Sequence, residues 1–109
     1  MIAKLTAAAL LLITGALHLY QYVLSPPTLP VLVTVLFGAV YVVLALVVPF
    51  GGRRGLITAQ IVTAIGGFMA IASVVQDQQP LTVWIAIFVA FDLAVIWFCA
   101  WAKAELAAR

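Results

Sequence analysis

The chain has 109 residues, 68% of them hydrophobic and 7% charged, with a net charge of +2. A soluble domain keeps roughly a quarter of its residues charged, so an ordinary soluble enzyme is excluded and lipid is the expected solvent. Five basic residues spread along the chain form no nucleic-acid patch, and a single cysteine, Cys99, rules out an internal disulfide, a CxxC redox pair and a cysteine zinc site.

Four apolar stretches follow in chain order, at residues 5–24, 30–48, 56–75 and 81–102. Each has about 20 residues, and a helix rising ~1.5 Å per residue then crosses a ~30 Å hydrocarbon core. Strands are not an option, because four of them cannot close a barrel and an open edge is not tolerated in lipid. The expected fold is all-α: one transmembrane domain over 1–109, an integral membrane four-helix antiparallel bundle.

The first stretch follows Lys4 and contains "AAALLLI". It has the look of a signal peptide, but no clean A-x-A site follows it, and it is read as a retained helix. Tyr20 and Tyr22 mark its outer end as interfacial aromatics. The motif "SPPTLP" then breaks the chain, and Pro30 is read as the start of the second helix. Pro49 stops that helix, and "GGRRG" supplies a tight polar turn. After the third stretch, "QDQQP" makes another turn, with Pro80 read as the start of the fourth helix. Trp84 and Trp101 stand about 25 Å apart along that helix, one for each interface.

Lys4, Arg53, Arg54, Lys103 and Arg109 all fall on one side of a four-span chain. The positive-inside rule makes that side cytoplasmic and sets both termini there. The expected location is the cell membrane, as a multi-pass protein.

Each stretch carries a narrow row of polar or small residues at helical spacing. The first has Thr14, His18 and Gln21; the second Thr34, Gly38, Tyr41 and Ala45. The third has Gln60, Thr63, Gly67 and Ala70; the fourth Asp92 and Cys99. Membrane helices pack through such rows, because small residues permit close approach and polar ones bond across. Asp92 and Tyr41 each lie about 17 Å below the outer boundary, and His18 about 9 Å below it. Side chains lean towards their own helix N-terminus, which brings these three levels together.

Asp92, His18 and Tyr41 are therefore the candidate binding or proton-site residues. An intramembrane carboxyl costs on the order of 3 kcal/mol by insertion scales. Asp92 either stays protonated and donates to a neighbour, or stays ionised against a protonated His18 with help from Tyr41. The plainer reading of Asp92 is a buried hydrogen bond that locks helix packing. The plainer reading of His18 is a hydrogen-bonding or interfacial histidine, because one histidine without a second ligand makes a weak haem site. Tyr41 and Gln60 also read as packing groups.

Arg53 and Arg54 are candidates for lipid headgroup contact, although their topological duty already accounts for them. Cys99 reads as a small apolar filler. Ala86, Ala90 and Ala94 recur every four residues nearly opposite Asp92, which makes them interface candidates for another subunit. Alanines that simply face lipid are the plainer alternative.

The segments "LLLITGALHLYQYV" and "LFGAVYVVLALVVPFGGRRGLITAQIVTAIGG" resemble the DoxX-like group of small four-helix membrane proteins. The shared features are a glycine-containing first span and a short arginine-bearing turn between spans two and three. The resemblance implies the fold and carries over no functional residue. The length is also similar to that of small multidrug transporters, but no acidic residue precedes Asp77, so their span-one glutamate has no counterpart.

No nucleophile–base pair, metal-ligand spacing or nucleotide loop occurs, so no catalytic residue is assigned and the protein is expected not to be an enzyme. Three functions fit. The first, narrowly favoured, is a non-enzymatic accessory or scaffold subunit of a homo- or hetero-oligomeric membrane assembly. The second is a proton- or cation-coupled small transporter or channel using Asp92. The third is a binder of a lipophilic cofactor such as quinone or haem.

Overall fold

The computed structural model describes residues 2–24, 29–77 and 80–108. Four helices follow one another: α1 (Ile2–Leu24), α2 (Leu29–Val47), α3 (Gly52–Val75) and α4 (Val83–Ala107). α1, α3 and α4 contain stretches long and apolar enough to cross a membrane; the apolar helix Val31–Val47 within α2 is shorter. The proline pair of "SPPTLP", the two glutamines before Pro80 and Arg109 lie outside the described residues, as does the Tyr22 side chain.

α1 begins at Ile2 and takes in Lys4, and three further boundaries differ from the sequence reading. "GGRRG" is not a free turn, because α3 already begins at Gly52 and takes in Arg53 and Arg54. The reversal is made earlier, where Phe50 and Gly51 both donate to the Val47 carbonyl. Gly52 then takes φ +60°, a left-handed conformation that glycine adopts without a Cβ penalty. Pro80 does not start α4. Thr82 caps it instead, its hydroxyl oxygen accepting from the Ile85 N–H at 3.3 Å. At its C-terminal end α4 runs on to Ala107 rather than stopping at Ala102. The added residues are Lys, Glu, Leu and Ala, all strong helix formers.

Short connections make successive helices antiparallel, and the contacts agree. Gly15 meets Val42 while His18 meets Gly38, and Gly67 meets Asp92 while Gln60 reaches Ile96. α1 packs on α2 and α4, and α3 packs on α4, whereas α2 and α3 touch far less than the other neighbours. α2 and α4 face each other diagonally. Lys4, Arg53, Arg54 and Lys103 thus share the end of the bundle that holds the chain's start and the end of α4, here the termini end.

Packing is uneven along the bundle. The termini end is solid: Ala3, Ala7 and Leu11 interlock with Val48, Leu56 and Cys99, all fully buried. Alanines let α1 lie close there, as small residues do at helix contacts. Towards the opposite, far end the seam between α2 and α3 opens. No described residue of α2 before Gly38 is buried, and none of α3 after Gly67.

Helix hydroxyls satisfy themselves. Thr6, Thr58 and Thr63 each donate to the carbonyl four residues back at 2.8 Å, the bond that frees such groups from needing water. The outer surface is apolar nearly all round, with Leu36, Phe68, Leu93 and Trp97 each more than 60% exposed.

Candidate functional site

The inward rows of the four helices meet where the packing loosens. Thr14, His18, Gly38, Tyr41, Thr63, Gly67, Asp92 and Cys99 are all buried, and Gln21, Thr34, Gln60 and Ala70 are half-buried beside them. Asp92 is 4% exposed and Tyr41 fully buried. The Tyr41 hydroxyl donates to Asp92 Oδ1 at 2.8 Å, joining the diagonal helices α2 and α4.

His18 reaches the same place from α1. Its ring stands edge-on to Tyr41, with centroids 5.2 Å apart, and stacks on Phe88 at 3.8 Å. It does not turn a nitrogen to Asp92. Nδ1 donates instead to the Thr14 carbonyl at 2.6 Å, with the Thr14 hydroxyl 3.3 Å from the same nitrogen. A carbonyl can only accept, so Nδ1 holds the proton and Nε2 of neutral His18 is an acceptor. The three sequence candidates thus form one cluster, with Tyr41 at its centre.

Glycines make the room. A Cβ built on Gly66 would collide with the Tyr41 hydroxyl, and one on Gly67 would lie 3.2 Å from Asp92 Oδ2. On the α1–α2 side, a Cβ on Gly38 would lie 2.7 Å from the His18 Cβ. Two helices, α2 and α3, therefore surrender side chains so that a tyrosine, a carboxyl and an imidazole fit at one level. Gln60 adds a tie one step towards the termini end, its Nε2 donating to the Ile96 carbonyl at 3.1 Å.

Above the cluster lies a cavity of about 460 Å³ that reaches towards the far end. Tyr41 and Asp92 form its floor and His18 one wall, while Phe37, Trp84 and Phe88 line it with rings. Gln21, Thr34, Ser73 and Thr82 place polar groups nearer its mouth. No lysine or arginine is among its described lining residues. Every buried side-chain nitrogen or oxygen among the described residues has a hydrogen-bond partner. Among the described residues Asp92 and His18 form no further hydrogen bond, and both line the cavity.

Comparison with family models, curated proteins and solved structures finds no match to this chain. The site is thus read from its own chemistry.

Other candidates lie elsewhere. Arg53 and Arg54 are exposed at the termini end, remote from the cavity. Ala86 and Ala90 face outward and Ala94 is half-buried, on the side of α4 that also exposes Leu93 and Trp97. Cys99 is buried in the solid half. Among the described residues no three His, Cys, Asp or Glu side chains gather as a metal site. Two contributors escaped the sequence reading. Phe88 sits one helical turn before Asp92, so the i, i+4 rule could have found it. Gly66 gave no signal, because its role depends on what α2 projects at it.

Proposed function

We propose that the protein is a non-enzymatic, four-span cell-membrane protein with cytoplasmic termini, and that its cavity binds a lipophilic small molecule. The observation that carries the binding reading is the cavity itself: an apolar, ring-lined hollow converging on a few placed polar groups, the usual form of a small-molecule site. Membrane insertion is supported by the apolar outer surface, since a soluble monomer rarely exposes contiguous apolar patches beyond a few hundred Å². At ~1.5 Å per residue the 19 residues of α2 extend about 28 Å, close to the hydrocarbon thickness. Collection of the basic residues at one end supports the orientation.

The gap between α2 and α3 gives such a ligand a route from the lipid on the far side. Quinone and haem, considered from sequence, are particular cases of this class.

The test is saturable binding of the neutral lipophilic dye N-phenyl-1-naphthylamine to protein in nanodiscs. With Trp97→Phe and Trp101→Phe leaving Trp84 as sole donor, energy transfer to the dye should saturate near one per chain. Ala70→Phe, which fills the hollow, should abolish it. Non-saturating transfer equal to that of lipid partitioning contradicts the reading.

The accessory-subunit reading keeps one specific support, the outward ridge of Ala86 and Ala90. Small residues on an outer helix face permit close packing of a further helix. Disulfide trapping from Ala90→Cys in a Cys99→Ala chain tests it: a cross-linked dimer at native expression supports the ridge as an interface, and its absence removes homo-oligomerisation there.

A further inference from the structure

Resting on the binding reading above, we infer that the cavity selects a lipophilic ammonium: an amine whose N–H donors meet Asp92 Oδ2 and His18 Nε2 and whose hydrocarbon body fills the ring-lined space.

The donor and acceptor inventory of the floor gives the sign. Tyr41 has already spent its O–H on Asp92 Oδ1. His18 has spent its Nδ1–H on Thr14. Beside a bound cation the Asp92 carboxyl is ionised. The floor residues then keep two acceptors with no partner among the described residues, Oδ2 of an aspartate 4% exposed and Nε2 of a histidine 7% exposed. A ligand that only accepts, such as a quinone carbonyl, finds no free donor at this floor. A hydroxyl supplies one donor. An ammonium supplies up to three, together with a charge.

Charge and walls point the same way. Asp92 is the sole Asp or Glu among the described lining residues, and no lysine or arginine there competes for it. Phe37, Tyr41, Trp84 and Phe88 present ring faces or edges around the same space, and aromatic faces attract ammonium groups, more strongly where water is excluded. The remaining lining is apolar enough to hold a hydrocarbon body, with Val33, Met69 and Ile85 on three different helices. A charge-assisted hydrogen bond is roughly twice as strong as a neutral one, which separates an amine from an alcohol of the same shape.

The experiment uses 1-aminoadamantane and 1-adamantanol, a caged hydrocarbon bearing either an ammonium or a hydroxyl. Each competes with the neutral dye for the full-length protein in nanodiscs, and each affinity is corrected for partition into protein-free nanodiscs. The amine should displace the dye about tenfold more tightly than the alcohol, about 1.4 kcal/mol. In Asp92→Asn that preference, read as the ratio of amine to alcohol displacement, should fall to about twofold or less. Equal displacement by amine and alcohol in the unaltered protein overturns the ammonium inference and leaves the cavity reading standing, as does a preference unchanged in Asp92→Asn. Failure of the dye itself to bind sinks the cavity reading first. The wild-type comparison needs no variant, so a poorly folding Asp92→Asn does not shield the inference.

Discussion

The Tyr41 hydroxyl and Asp92 Oδ1 lie 2.8 Å apart and join α2 to α4 across the diagonal of the bundle. This bond closes the floor of the cavity. It also fixes the height at which solid packing gives way to open space, because the residues buried on α2 and α3 stop at Gly38 and Gly67. The packing bond and the cavity floor are here made by the same pair of side chains.

The pair should be energetically coupled. A double-mutant cycle with Tyr41→Phe and Asp92→Ala, read by reversible unfolding in mixed micelles, should give a coupling of about 0.6–1.7 kcal/mol, the range for polar bonds between membrane helices. Asp92→Asn keeps an oxygen acceptor for Tyr41 and should lose less than half of what Asp92→Ala loses. Strict additivity of the two substitutions contradicts the bond.

Gly66 should be replaceable only when Tyr41 gives way. Gly66→Ala drives a methyl into the Tyr41 hydroxyl and to within 3.3 Å of the Phe37 ring, and overpacking of this kind costs about 1–3 kcal/mol. In a Tyr41→Phe background the colliding oxygen is gone, and the same substitution should cost less than half as much. An equal cost in both backgrounds shows that Tyr41 does not occupy that seat.

Gly38→Ala has no such rescue. Its Cβ would lie 2.7 Å from the His18 Cβ and 3.0 Å from the Gly15 carbonyl oxygen, and neither atom can swing away. A loss of about 1–3 kcal/mol is expected, larger than that of Gly67→Ala, where the nearest atom is a side-chain oxygen at 3.2 Å. Thermal unfolding of the two variants side by side checks the order.

Orientation is testable with single cysteines in a Cys99→Ala chain. An impermeant maleimide added to intact cells should label Asp77→Cys and leave Arg53→Cys unlabelled until the membrane is opened. The reverse pattern contradicts cytoplasmic termini, and labelling of both from outside contradicts four spans.

Much of this arrangement was legible because apolar runs, boundary prolines and polar rows obey one physical demand, that backbone and polar groups be satisfied away from water. That demand placed Asp92, Tyr41 and His18 on inward faces before any coordinates. It did not reveal that His18 turns its proton to Thr14, since a local carbonyl four residues back competes with a distant carboxyl and is always at hand. Boundaries failed where capping outranked proline, at Thr82, and where good helix formers carried α4 past its apolar run. The cavity itself had no sequence signal. Periodicity tells which face of α2 or α3 turns inward, and it is silent on how far apart the two helices stand.

The most direct test of the central claim is native mass spectrometry of the protein extracted into nanodiscs from its own membrane, compared with the cavity-filling Ala70→Phe variant. A discrete small-molecule adduct on the unaltered chain, lost in Ala70→Phe while the fold is retained, is the predicted result. An identical spectrum of bare chain and ordinary lipid from both proteins would contradict a ligand-binding cavity.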